Sequence, residues 1–174
     1  WYLDFSKKYI AKNIEVLKDL DIESISKVGL LLYNAKQNDK QIFFCGNGGS
    51  MSIATHMACD FGKGAKGLRD SKRYRAISLD NISWITAQAN DGEDYFNRGN
   101  FTGNYEHGYD GIFVGQLENL INTGDIVFVI SSSGNSSNII NALDYSKDKG
   151  ALTIAMVGFD GGEAARKADN VILV

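Results

Sequence analysis

The sequence "IVFVISSSGNSSNIINAL", residues 126–143, places a cluster of hydroxyl groups between a buried strand and a helix. Residues 126–130 are continuously apolar, as in strands covered on both faces of a parallel sheet. The seven residues 131–137 hold five serines, a glycine and an asparagine. A helix that starts near Asn138 would direct its unpaired amides and the positive end of its dipole at this loop. The segment therefore predicts a strand, an anion site of phosphate size and a helix.

An alternative interpretation of the same loop is an elaborate N-terminal cap, since Ser and Asn are among the residues that most often cap helices. A single cap needs one hydroxyl, whereas this loop has five. The surplus favours ligand binding, and the capping interpretation stays open at this point.

A second strand, turn and helix precede this segment. The apolar run "QIFFC", residues 41–45, leads into "GNGGS", residues 46–50, and then into a helix through about Phe61. Glycines at such a turn let the backbone approach a ligand closely, and the turn also carries the polar side chains of an Asn and a Ser. Neither a dinucleotide fingerprint nor a P-loop lysine completes the pattern, so we expect a ligand smaller than a nucleotide.

The remaining pattern alternates helices and strands. Residues 1–36 are predicted to form either one amphipathic helix or two helices with a break near Asp21. The apolar stripe of this segment must lie on its own sheet or on another subunit. The later elements are a strand at 74–79, a helix at 81–89 that ends in "AND" (89–91), an irregular segment 92–111 containing His107, a helix at 112–121, a helix at 138–149, a strand at 152–157, a short helix at 163–167 and a strand at 171–174.

This order predicts a single α/β domain over residues 1–174, with a helical lead-in at 1–36 and a layered α/β part at 41–174. The sheet should be doubly wound, mainly parallel and five-stranded, with flanking helices. In such sheets ligands bind beyond the carboxyl ends of the strands, where both polar loops and the "AND" segment belong.

Composition excludes several other classes of function. The net charge of −3 argues against a nucleic-acid-binding surface, and no apolar stretch approaches the length of a membrane span. The basic residues scattered over 63–75 form either a solvated loop or a patch that steers anions. Two cysteines are too few for a disulfide framework, so we expect a reduced, cytoplasmic protein.

Three stretches together resemble one known family. "CGNGGS", "ISSSGNSSNIINAL" and "VGFDGGEAARKADNVILV" are similar to the sugar isomerase (SIS) domain, and within it to the sedoheptulose 7-phosphate isomerases, or phosphoheptose isomerases. The resemblance covers the chain from about Phe5 onward. It implies a sugar-phosphate ligand and a homo-oligomer, expected to be a tetramer with sites between subunits.

The resemblance also assigns roles to particular residues. It implies that the hydroxyl loop holds the phosphate and that the Asn-Gly-Gly turn and an Asn-Asp pair line the sugar. The substrate-binding residues so implied are Asn47, Gly48, Gly49, Ser50, Asn90, Asp91, Ser131, Ser132, Ser133 and Ser136.

His56 and Asp60 match the family positions of a metal ligand and of a catalytic base that also binds the metal. Their spacing of four places both side chains on one helical face, where they can share one ion such as zinc or one substrate. A pair that simply bonds to itself at an interface is the structural alternative. Asp60 is one methylene shorter than the glutamate of the family, and the family's further metal ligands, a Gln and a His, belong to a C-terminal helix beyond Val174.

The resulting functional prediction is a ketose–aldose isomerase for a seven-carbon sugar phosphate. Asp60 would act as the base that moves a proton between C1 and C2 through an enediol, and a divalent ion could stabilise the developing oxyanion. His107 is the alternative proton carrier. A different class also remains open, namely a catalytically silent SIS domain that binds a sugar phosphate or a protein partner as a sensor or scaffold.

Overall fold

Five parallel strands form the centre of the molecule. The computed structural model describes residues 1–65, 72–96 and 108–174. Its strands are β1 Gln41–Gly46, β2 Arg75–Ser78, β3 Ile126–Ser131, β4 Leu152–Val157 and β5 Asn170–Leu173. They lie in the order β2-β1-β3-β4-β5, and every neighbouring pair is parallel. The predicted five-stranded, doubly wound α/β fold is thereby confirmed.

The described ranges contain seven α-helices. They are α1 Tyr2–Asp19, α2 Ile22–Gln37, α3 Gly49–Cys59, α4 Ile82–Phe96, α5 Val114–Leu120, α6 Ser137–Asp148 and α7 Gly162–Lys167. A π-helical turn, Asp60–Gly64, continues α3, and a 3-10 turn, Gly108–Gly111, precedes α5. The predicted break near Asp21 is confirmed, because the Asp21 carboxylate accepts hydrogen bonds from the amides of Glu23 and Ser24 and so caps α2.

The central strands β1 and β3 are buried on both faces, which explains why they read as continuous apolar runs. Successive side chains of a strand point to opposite faces. Phe43 therefore joins the core cluster on the side of α5, α6 and α7, while Phe44 joins the cluster on the side of α2 and α3. Strands that alternate apolar and polar residues could not be covered in this way.

The strand order brings the two polar loops together. The chain crosses from β1 to β2 in one direction and from β3 to β5 in the other, so the order reverses between β1 and β3. These two strands are direct neighbours, and Gly46 pairs with Ile130 at their carboxyl ends. Crevices at such a reversal point are the usual ligand sites of open α/β sheets. The loops after β1 and β3 both open into this crevice.

Helix α4 differs from its predicted extent. The sequence "AND" at 89–91 predicted an end to the helix, yet α4 continues to Phe96. The weak helix propensity of Asn, Asp and Gly therefore did not end the helix. Side-chain contacts hold the preceding turn against the 3-10 turn: Trp84 Nε1 donates to Gln88 Oε1 at 2.6 Å, and Gln88 Nε2 donates to the carbonyl oxygen of Gly111 at 3.0 Å. The predicted irregular segment 92–111 is correspondingly wrong at both of its ends, and its part 97–107 lies outside the described residues.

Helix α1 does not lie on the sheet. None of its residues is buried, and its apolar side chains are exposed to solvent, among them Leu3, Ile10, Ile14 and Leu17. The two helices of residues 1–36 differ in this respect: α2 packs on the sheet through Val28, Leu32 and Ala35, whereas α1 does not. The stripe therefore remains available for contact with another molecule.

Gly134, at the centre of the serine loop, should be a strict requirement of the fold. Its φ is +64°, and an added Cβ would overlap the carbonyl oxygen of Gly161. We expect Gly134→Ala to lower the free energy of unfolding by about 2 to 4 kcal/mol, as measured by urea denaturation. Gly29→Ala is the matched control, because Gly29 lies in α2 with open space around it, and it should stabilise by up to about 1 kcal/mol. Equal effects of the two substitutions would contradict this account.

Candidate functional site

A cavity of about 230 Å³ lies at the carboxyl ends of β1 and β3. It brings together six of the substrate-binding residues predicted from the sequence, and Ile130 and Phe159 complete it. Its lining residues are Asn47, Ser50, Ile130, Ser131, Ser132, Ser133, Ser136 and Phe159. Ligand recognition by hydroxyl and amide groups therefore has a defined location in the fold.

Two of the serines shape the loop. Ser131 Oγ accepts a hydrogen bond from the amide of Gly134 at 3.1 Å, and Ser133 Oγ accepts one from the amide of Asn135 at 3.3 Å. The carbonyl oxygen of Gly134 in turn accepts from the amide of Ala164 at 2.8 Å. These bonds fix the loop to the start of α7. Each accepting hydroxyl still has its own proton to donate to a ligand.

Two further serines line the cavity, and their hydroxyl groups make no hydrogen bonds to other described residues. Ser136 is the N-cap residue of α6, but its side chain makes no capping hydrogen bond. Its carbonyl oxygen accepts from the amide of Ile139 at 3.0 Å, so the helix begins normally without the hydroxyl. Ser132 Oγ likewise takes part in no hydrogen bond with another described residue. The capping interpretation is thus insufficient for the loop, and both hydroxyls are free to bind a ligand.

A pair of amide side chains joins the two loops. Asn47 Nδ2 donates to Asn138 Oδ1, Asn138 Nδ2 donates to Asn47 Oδ1, and both distances are 2.9 Å. Asn138 is completely buried. Because each amide also keeps one N–H group beyond this exchange, Asn47 can contact a ligand while it holds the turn after β1 against α6.

Close packing at the end of β1 fixes the start of α3. A Cβ at Gly46 would lie 2.8 Å from Ser50 Cβ and 2.9 Å from the carbonyl oxygen of Ile130. Only a glycine allows the strand to turn this sharply beside β3. The side chain of Ser50 is thereby brought into the cavity.

The electrostatics of the cavity rest on dipoles. Among the described residues, none of those that line it carries a charge. An anion would be held by hydroxyl and amide donors and by the N-terminal end of α6, a helix of 12 residues. Such a site can hold a phosphate group without a lysine or an arginine.

His56 lies farther along α3, and Asp60 begins the π-helical turn that continues it. His56 is six residues beyond Ser50, or about 9 Å along a helix axis, and neither it nor Asp60 lines the cavity. His56 Nδ1 is 3.7 Å from Asp60 Oδ1, and their side chains are 77% and 67% exposed. The predicted proximity of the two groups on one helical face is present.

This pair is compatible with two ligands of one metal ion. Zinc accepts imidazole and carboxylate ligands at about 2.0 to 2.2 Å, so two atoms on the same ion lie roughly 3 to 4 Å apart. Zinc sites in proteins usually take three or four protein ligands. Across residues 1–65, 72–96 and 108–174, no cluster of three or more His, Cys, Asp or Glu side chains could hold a metal ion.

The other residues predicted for the site do not line the cavity or lie outside the described residues. Gly48 has a φ of +53° and precedes α3, and Gly49 is the first residue of that helix. Asn90 and Asp91 lie inside α4 and do not line the cavity. His107 lies outside the described residues.

Sequence reasoning missed Asn138, Ile130 and Phe159. Asn138 is a buried polar residue in the first turn of α6, directly after the serine loop, and that position was its available signal. Ile130 was read only as a strand residue. Phe159 belongs to the turn "GFDGG", 158–162, which is part of a stretch that resembles the family but had no site residue assigned to it.

An uncharged, hydroxyl-rich cavity at a strand-order reversal is typical of α/β domains that bind phosphate esters. The chain is a member of the SIS domain family, whose profile matches residues 7–158.

Curated phosphoheptose isomerases are similar to nearly the whole chain. The protein of Sulfurimonas denitrificans is 37% identical over 179 residues, which span 98% of this chain and 82% of that protein. The protein of Haemophilus ducreyi is 32% identical over 99% of this chain and 83% of its own length. The solved phosphoheptose isomerase from Neisseria gonorrhoeae superposes with a TM-score of 0.79 at 27% identity, covering 99% of this chain and 84% of that one. The resemblance predicted from the sequence is confirmed.

The hydroxyl of Ser136 should contribute to ligand binding and little to folding. We expect Ser136→Ala to weaken binding of a sugar phosphate by about 10-fold, because a hydrogen bond to a charged group is lost, while the unfolding midpoint stays near that of the wild type. Isothermal titration calorimetry with sedoheptulose 7-phosphate measures the first quantity. Ser146→Ala is the control: Ser146 is buried in α6 and donates to the carbonyl oxygen of Ala142, so its loss should affect stability and spare binding. Unchanged affinity in Ser136→Ala would contradict the assignment.

Proposed function

We propose that the protein is a ketose–aldose isomerase that interconverts sedoheptulose 7-phosphate and an aldoheptose 7-phosphate. The observation that carries this proposal is the convergence of the serine loop and the Asn-Gly-Gly turn on one uncharged cavity. The high similarity to phosphoheptose isomerases over nearly the full chain supports the reaction type.

The phosphate would occupy the serine loop. Ser132 and Ser136 offer hydroxyl donors, and the amides at the start of α6 add dipolar stabilisation. Asn47 and Ser50 contribute polar groups at the neighbouring wall, where the carbon chain of the sugar leaves the phosphate. Phosphate binding would thus orient the substrate and leave its reacting end directed out of the loop.

The proposed reaction transfers one proton between adjacent carbons. Asp60 as a carboxylate takes a proton from C1 of the ketose, and the carbonyl oxygen on C2 gains a proton, which gives the 1,2-enediol. The Asp60 carboxylic acid then returns its proton to C2, and the C1 hydroxyl loses its proton, which gives the aldose. No oxidant or reductant is required, because the electron pair stays within the substrate.

A divalent metal ion such as zinc belongs to the proposal as an optional cofactor. His56 and Asp60 would hold it, and their 3.7 Å separation supports this role. When bound, such an ion supplies charge stabilisation for an oxygen that becomes negative during enediol formation.

We also propose that the protein works as a homo-oligomer, a tetramer by resemblance to its family. Two observations support assembly: the apolar stripe of α1 is exposed, and His56 and Asp60 are largely exposed although a proton-transfer site benefits from exclusion of water. Contact with a second copy would bury the stripe and cover the pair.

The proposed location is the cytoplasm. Both cysteines are free, and burial raises the pKa of the Cys45 thiol to about 12, so that it stays protonated near neutral pH and does not act as a nucleophile. Among the described residues, no helix has the length and the apolar character that crossing a membrane requires. Sugar phosphates are the proposed partners, and nucleic acid is not one.

The decisive test of the reaction is Asp60→Asn. This substitution keeps the size of the side chain and removes the base, so we expect turnover to fall by at least about 1,000-fold while affinity for the sugar phosphate changes less than about tenfold. Asp60→Glu should retain or raise the rate, because it restores the reach of a glutamate. A coupled assay of aldoheptose formation measures turnover, and calorimetry measures affinity.

The outcomes of this test separate the candidate functions. Full turnover in Asp60→Asn would contradict the assigned base. Binding of the sugar phosphate to the wild type without any turnover would instead favour a sensor or scaffold.

The stripe on α1 gives a separate test of assembly. Ile10→Glu places a charge on the stripe and should reduce the molar mass found by multi-angle light scattering at micromolar concentration. Ala11→Glu is the matched control, since Ala11 is also exposed but adjacent helix positions face different directions. A wild-type monomer, or an equal effect of both substitutions, would contradict assembly through α1.

A further inference from the structure

Phe159 combines high exposure with an unusual backbone conformation. It follows β4, its side chain is 83% exposed, and its φ is +53°. Among the described residues, only Asp39 and Phe159 have a positive φ without being glycine. Asp adopts this conformation with some frequency, whereas a bulky aromatic residue rarely does. The surrounding structure must therefore impose the conformation of Phe159.

The turn that carries Phe159 is tied to the serine loop. The amide of Gly158 donates to the carbonyl oxygen of Ser132 at 3.0 Å, and the amide of Gly161 donates to the carbonyl oxygen of Gly158 at 2.9 Å. A Cβ at Gly158 would itself lie 3.0 Å from the Ser132 carbonyl oxygen, so the two backbones are in close contact. The backbone of Phe159 is consequently held close to the proposed phosphate site.

The ring forms part of the wall of the cavity. Most of the residues beside it in that wall are serines and an asparagine, and Ile130 is the other apolar member. An exposed phenyl group gives nothing to a phosphate ion, which needs hydrogen-bond donors. It can, however, cover the C–H groups of a carbon chain attached to that phosphate and so remove apolar surface from water.

We propose that Phe159 is a specificity-determining residue whose ring packs against the carbon chain of the bound sugar phosphate. This inference rests on the proposed function, since it takes the serine loop as the phosphate site. The ring then favours a phosphorylated sugar over inorganic phosphate, which uses the same donors but has no carbon chain. The strained turn holds the backbone of Phe159 beside the loop, so that its side chain starts next to the ligand.

Calorimetric titration of Phe159→Asn with two ligands tests this role. Asn tolerates a positive φ, so the variant should keep the turn while it loses the ring. We expect affinity for sedoheptulose 7-phosphate to fall on the order of tenfold and affinity for inorganic phosphate to stay unchanged. Phe159→Tyr keeps the ring and should bind both ligands as the wild type does. Phe159→Gly, which also accepts this backbone, serves as a second ring-free variant if Phe159→Asn is poorly folded.

The two ligands separate the possible results. Equal affinity of wild type and both ring-free variants for sedoheptulose 7-phosphate would overturn the inference and leave the proposed function intact. A parallel loss of affinity for both ligands would also overturn it, because the turn would then act only by supporting the serine loop. A wild type that binds neither ligand would overturn the proposed function and this inference together.

Discussion

The direct pairing of β1 with β3 is the constraint on which the candidate site depends. These strands share five register positions from Ile42 to Gly46, and the crossovers leave them toward opposite edges of the sheet. The loops at their carboxyl ends are therefore not covered by a crossover and stay open to solvent. Asn47 and Asn138, 91 positions apart in the chain, then join these loops through two hydrogen bonds. A buried amide pair of this kind is stable only when both partners are present, so the geometry of the two loops is coupled.

The serine loop divides its hydroxyl groups between structure and recognition. Ser131 and Ser133 accept backbone amides within the loop, while Ser132 and Ser136 face the cavity without such a role. A loop with only the first two would be shaped but would offer fewer donors. A loop with only the second two would offer donors that nothing holds in place. The density of hydroxyls that marked this segment in the sequence thus reflects two simultaneous needs, of which helix capping by a side chain is not one.

Much of the fold was accessible from the sequence because its signals are local. Continuous apolar runs such as "QIFFC" are typical of strands buried on both faces, and the glycine-rich and serine-rich turns marked the carboxyl ends of β1 and β3. The packing of α4 was not accessible, since the bond from Gln88 to Gly111 links segments that only the tertiary fold brings together. The contribution of Phe159 to the cavity was hidden for the same reason. Its place in the wall depends on a backbone bond between Gly158 and Ser132, which leaves no pattern in the sequence.

Two exposed features, the His56–Asp60 pair and helix α1, have no explanation in the packing of the isolated chain. A polar pair as exposed as His56 and Asp60 contributes little to the stability of a folded chain, because water competes for both groups. Core packing gives no reason for these two residues either, since neither is buried. Helix α1 likewise has no packing that explains it, because its 18 residues bury no apolar side chain. Most helical stability in proteins comes from the packing of an apolar face, and α1 packs none against the rest of the described chain. The exposure of both α1 and the polar pair is most simply explained if contacts with another molecule complete the site around α3.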